Sequence, residues 1–170
     1  MITLAFIVLI AALLIVFLIT LVRQRHATTD VNELYSRLKP IYVPALLNLI
    51  NPGDLIFLRT RLRRSDFLKV KRARARALID YVGRIAFNAR TLTSIGTLYR
   101  QSAQPELASA GQSLVSRAAS TRILALRTLV FLKIEFILPF FDTNLTPTLS
   151  AYERAKARLD GISSTLIPAR

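Results

Sequence analysis

From Ile2 to Val22 the chain carries no charge, and only Thr3 and Thr20 are polar. As a helix, these 21 residues reach about 31 Å at ~1.5 Å per residue, close to the ~30 Å hydrocarbon core of a bilayer. A cleaved secretory signal would show a basic start, a shorter apolar core of ~7–15 residues and a small-x-small cleavage site. Here the only positive charge ahead of the run is the terminal amine, and Leu21-Val22-Arg23 is a poor cleavage site. The run therefore reads as a retained membrane anchor, in preference to a signal peptide or a buried helix of a soluble protein. Arg23 and Arg25 come directly after it and no Lys or Arg precedes it. By the positive-inside rule the N-terminus faces out and the rest of the chain faces the cytoplasm. The expected organisation is an anchor over 1–22, a basic juxtamembrane linker over 23–29 and a helical cytoplasmic domain over 30–170.

The chain beyond the anchor is long enough for one domain with its own core and short for two. Its charge is lopsided. Residues 23–90 hold 15 bases and 5 acids, a net of +10, whereas residues 91–170 hold 9 bases and 5 acids, a net of +4. A basic excess near a bilayer suits the anionic leaflet, and it also suits nucleic acid or an acidic protein. The absence of cysteine excludes disulfides, thiolate nucleophiles and Cys-based metal sites. Five glycines in 170 residues favour helices over turn-rich β structure.

The helical punctuation is readable from residue 28 onward. Thr28-Thr29-Asp30 offers N-cap chemistry for a short helix through Val31–Lys39, with Glu33 at the reciprocal capping position. Pro40 ends it, and Pro44 allows a second short helix near Ala45. Asn51-Pro52-Gly53-Asp54 is a strong turn signal, after which Asp54 is placed to cap a helix starting at Leu55. Farther on, Leu78, Val82, Ile85, Ala89, Leu92, Gly96 and Tyr99 step by alternating fours and threes, the seam of a packed helix. Extending the seam backward gives Ala75, Lys71 and Leu68, so it weakens where charge rises. Pro105 opens a second long helix whose first half is small and polar, a composition that permits close helix approach. Pro139 and the Asp142–Pro147 stretch end it, and a last helix is expected over 148–159, closed by Gly161. The fold class is therefore all-α: an N-terminal transmembrane helix and then an antiparallel helical bundle, with two long helices over about 66–101 and 105–138 forming a hairpin.

Two further apolar stretches bear on topology. Ile123–Phe141 contains Arg127, Lys133 and Glu135. About a dozen Leu, Ile, Phe and Val favour insertion by roughly 4–8 kcal/mol, against roughly 8–10 kcal/mol for three central charges. A buried bundle helix is expected there over a spanning one. Arg127 and Glu135 are a little over two turns apart, which places both near one face, a rim touching water. Ile41–Leu58 has no basic residue and is expected to be short helices covering a core, with an interfacial hairpin around Asn51-Pro52-Gly53-Asp54 as the alternative.

Catalytic chemistry finds little purchase. His26 is the only histidine, and it reads as a solvated juxtamembrane residue beside two arginines. No phosphate-binding glycine loop, nucleophile elbow or zinc-binding His-Glu-x-x-His is present, and the carboxylates are scattered. No catalytic residue, metal or cofactor is assigned. The one sharp constellation is basic: Arg59, Arg61, Arg63, Arg64, Lys69, Lys71, Arg72, Arg74 and Arg76 lie within 18 positions, opposed only by Asp66. Three readings compete for it: contact with anionic lipid, with each base contributing ~1 kcal/mol near the surface; a grip on nucleic-acid phosphates; and a solvated face or a docking face for an acidic protein. Aromatic interleaving is thin, limited to Phe57 and Phe67, and no base-reading motif accompanies the run.

The sequence thus points to a non-enzymatic, single-pass, membrane-anchored helical scaffold or interaction protein. Its basic surface would face anionic lipid or an acidic partner, and self-association is a further expectation. The alternatives are an accessory subunit of a larger membrane complex and a membrane-tethered nucleic-acid binder.

Overall fold

The computed structural model describes residues 30–139 and 141–166. The chain divides into two units, Met1–Asp30 and Val31–Arg170. The apolar run, the anchor and topology read from it, and the basic linker lie outside the described residues.

The described residues form six helices and no strand: α1 Val31–Ser36, α2 Val43–Ile50, α3 Pro52–Arg61, α4 Arg64–Arg100, α5 Pro105–Ile137 and α6 Thr146–Leu166. Helices α4 and α5 form the expected antiparallel hairpin, and α6 packs back along α5. The seam residues of α4 from Leu78 to Tyr99 are all buried, Val82, Ala89 and Leu92 almost completely. They are used within the chain, so this seam is core.

The hairpin closes most tightly where two glycines meet. A Cβ on Gly111 would lie 2.5 Å from the Arg100 amide nitrogen and 2.7 Å from the Gly96 carbonyl oxygen. A Cβ on Gly96 would stand 2.9 Å from Val115 Cγ2 and 3.0 Å from the Gly111 carbonyl oxygen. With backbone against backbone, the small residues early in α5 permit the close approach that their size suggested.

Two apolar clusters fill the bundle. At the hairpin end, Leu92, Ile95 and Tyr99 of α4 meet Leu114 and Ala118 of α5, Leu159 of α6, and Leu34 of α1. At the other end, Leu78, Val82 and Ile85 meet Ala125 and Leu132, Leu149 and Tyr152, and Leu46 of α2. Each fully buried Leu or Ile contributes roughly 1.5–3 kcal/mol of transfer free energy.

On α4, Asn88 lies between the residues of the two clusters. It is fully buried, its Oδ1 accepts from the Lys39 amide at 2.8 Å, and its Nδ2 donates to the Lys39 carbonyl at 2.8 Å and to the Tyr152 hydroxyl at 3.0 Å. One amide thereby ties α4 to the chain after α1 and to α6.

Several element boundaries and facings differ from the sequence expectation, and α1 already ends at Ser36, short of Lys39. Helix α3 starts at Pro52 and is capped by Asn51, whose Oδ1 accepts from the Gly53 amide at 2.9 Å. Asp54 therefore sits in the first turn, because Asn before Pro combines a strong cap with a preset φ. Helix α6 starts earlier, at Thr146, and runs through Gly161. No glycine among the described residues has positive φ, so Gly161 does not act as a helix stop. Glu135 does not share an exposed rim with Arg127. It is buried, and its Oε2 accepts from the Thr143 amide at 3.0 Å. Eight residues leave a turn of about 80° between the two side chains, enough to point one at α6 and the other outward.

Candidate functional site

The nine basic residues lie on α3, the short link after it and the first four turns of α4. Helix α3 buries none of its residues, and Arg59 and Arg61 are exposed in its last turn. Arg63, Arg64, Lys69, Arg72 and Arg76 are also exposed. Lys69 pairs with Asp66 at 3.2 Å, and Arg61 and Arg76 stand over the rings of Phe57 and Phe136 at 5.7 and 5.5 Å.

Two members are not fully at the surface. Lys71 is buried, with Nζ 2.7 Å from Asp142 Oδ1 and 2.9 Å from the Phe141 carbonyl oxygen. It fastens the turn after α5 to α4 and is not part of the outward surface. Arg74 is half-buried; desolvation holds its guanidinium below the usual arginine range, partly offset by Glu135, Asp142 and Asp54. The outward set is thus seven arginine and lysine side chains, with Arg74 at its edge.

Exposed apolar side chains adjoin this basic end. A cleft of about 670 Å³ runs between α3, the start of α4 and the turn after α5, lined by Leu55, Ile56, Arg59, Leu62, Phe67 and Pro139 among others. Ile56 and Phe57 are more than half exposed beside it. Phe131, Ile134 and Phe141 border a second groove of about 560 Å³, between α5 and the start of α6. Among the described residues no helix is long and apolar enough to cross a membrane. The stretch 123–141 instead packs one face of α5 into the bundle. Ile41–Leu58 forms two short helices, of which α2 contributes Leu46 to the core and α3 contributes no buried residue.

Sequence reasoning located the basic run and Phe57 beside it, but not the exposed aliphatic face of α5, because helical spacing alone does not say which face packs. The signal was present in the 3-4 spacing of Ile123, Leu126, Val130, Ile134 and Ile137, a pattern that by itself reads equally well as core.

Among the described residues no three His, Asp or Glu side chains converge as metal ligands would. Compared with known proteins, the chain matches no family model, no curated protein and no solved structure.

Proposed function

We propose that this protein is a membrane-anchored, non-enzymatic helical scaffold whose α3–α4 end lies against the anionic face of the bilayer. Anchored through residues 1–22 with its N-terminus outside, it holds the six-helix domain at the cytoplasmic surface. One observation carries the reading: seven exposed basic side chains, from Arg59 to Arg76, occupy the same end of the bundle as the exposed apolar residues Ile56 and Phe57. Nucleic-acid phosphates would satisfy the cations but leave the apolar neighbours in water. An anionic lipid surface satisfies both.

The test uses the absence of native cysteine. Full-length protein with Arg63→Cys is reconstituted into nanodiscs of phosphatidylcholine, with or without phosphatidylserine, and treated with a charged maleimide. The reading expects slower labelling in the anionic discs and recovery at high salt, since each surface cation contributes ~1 kcal/mol that salt screens. Equal labelling in both discs would remove it. Tight, salt-sensitive binding of DNA or RNA by the same preparation would favour the tethered nucleic-acid binder. Co-purification of stoichiometric partners in mild detergent would favour the accessory-subunit reading. Protease protection of the C-terminus in right-side-out vesicles checks the topology.

A further inference from the structure

The second half of α5 has its polarity reversed. Taking Val130 as the centre of the outer face, ~100° per residue puts Ile123, Leu126, Ile134 and Ile137 within about 40° of it. All five are exposed, from 39% at Ile134 to 69% at Ile137. The opposite arc, equally narrow, holds Thr121, Ala125, Thr128, Leu132 and Glu135, and all of these are buried.

The inward polar groups are paired. Thr121 Oγ1 donates to the Ala151 carbonyl at 3.0 Å, the Thr128 and Thr148 hydroxyls lie 2.8 Å apart, and Glu135 accepts from the Thr143 amide. So this half of α5 packs inward mostly through small and hydrogen-bonding side chains, with Leu132 the one large aliphatic in that arc, and turns Ile123, Leu126, Val130, Ile134 and Ile137 away from the protein. A water-facing helix places these faces the other way round. Small residues and interhelical hydrogen bonds inside, with aliphatics outside, is the arrangement of a helix that touches lipid.

The charges at the edge of the stripe identify what covers it. Arg127 and Lys133 lie about 60° to either side of Val130, and both are exposed. The only acid in this half of the helix, Glu135, faces inward, and the acid beyond its end, Asp142, is paired with Lys71. A second copy of the chain would set cation against cation. A bilayer with anionic headgroups accepts the aliphatic stripe in its acyl boundary and lets the two long basic side chains reach up to phosphate.

We infer that α5 from Ile123 to Ile137 lies in the plane of an anionic bilayer surface as an interfacial wedge, about 21 Å long, with Val130 at its centre. The wedge rests on the proposed membrane-surface function, and the two are tested so that each can fail without the other. Single cysteines at Val130, Ile134 and Ile137 are exposed substitutions that leave the core untouched, and Ser109→Cys on the polar first half of α5 is the control. The full-length variants carry a nitroxide, are placed one copy per nanodisc in the two lipid compositions, and are read by collision with oxygen and with a water-soluble nickel chelate.

The expected result is an inversion: oxygen dominates at Val130, Ile134 and Ile137, and the chelate dominates at Ser109. Chelate-dominated collisions at all four sites would overturn the wedge. Shielding from both reagents would also overturn it, since protein would then cover the face; doubly loaded discs with dipolar broadening would identify a second copy. Inversion in both lipid compositions keeps the wedge and removes the electrostatic reading. Protection of Arg63→Cys without inversion on α5 does the reverse.

Discussion

Gly111 and Asn88 each hold a position with little freedom to change. Any side chain at Gly111 meets the α4 backbone at Arg100 and Gly96, and backbone cannot move aside as a side chain can. Gly111→Ala should therefore destabilise by roughly 1–3 kcal/mol. Gly83, in the middle of α4, has nothing within 4 Å of its hypothetical Cβ. Gly83→Ala should stabilise by roughly 0.5–1 kcal/mol through helix propensity and unfolded-state entropy. Chemical denaturation of the two variants beside the parent checks both signs.

Asn88→Leu would leave the buried Tyr152 hydroxyl and the part-buried Lys39 amide and carbonyl without their partner, at a cost of roughly 1–3 kcal/mol in all. Tyr152 also gives a pH signature. Burial pushes its hydroxyl pKa up, outweighing the Asn88 hydrogen bond that lowers it; Tyr35, facing Tyr99 at 3.4 Å, is raised as well, chiefly by desolvation. A raised folded-state pKa means the tyrosinate forms more readily in the unfolded chain. This stability is intact below the unfolded value of ~10 and falls as pH rises above it. Alkaline unfolding tracked by tyrosinate absorbance should shift to higher pH in Tyr152→Phe. An unchanged midpoint would exclude Tyr152 as the group that titrates.

Within the helices, burial and hydrophobicity part company on α5. Leu132 is completely buried in the cluster with Leu78 and Leu149, whereas Ile134, two positions on, is well exposed. Leu132→Ala should cost roughly 2–5 kcal/mol, as cavity-forming core changes do. Ile134→Ala should stay within about 0.5 kcal/mol, as surface changes do. Thermal melts of the pair in detergent give the comparison, and a similar loss for both would mean that the outer face of α5 is packed against protein. The element boundaries were largely written in local chemistry: Pro105 at the start of α5, Pro139 after its end, and Asn51-Pro52 at the start of α3. Gly161 was misleading because glycine marks a helix end only where the backbone takes positive φ, and that is absent there.

For the whole molecule, the proposed membrane-surface reading expects association with lipid to be salt-dependent through the basic end and salt-resistant through the apolar stripe. Reversing Arg59, Arg63 and Arg72 to Glu should abolish the anionic-lipid protection of the α3–α4 end while leaving helicity by circular dichroism unchanged, because all three are exposed. The sequence by itself determined that the chain is helical, where the long hairpin turns, which residues of α4 face the core, and that positive charge concentrates between Arg59 and Arg76. These come from near-neighbour rules: periodicity, capping and proline geometry act within a few residues. It could not determine that Lys71 leaves the basic surface for Asp142, that Glu135 turns inward to the Thr143 amide, or that Asn88 joins three segments. Each needs a partner brought close by packing, from 8 to 71 positions away. The facing of α5 belongs to the same class: its aliphatic 3-4 spacing fits core and lipid equally, and only the positions of α4 and α6 decide which side is buried.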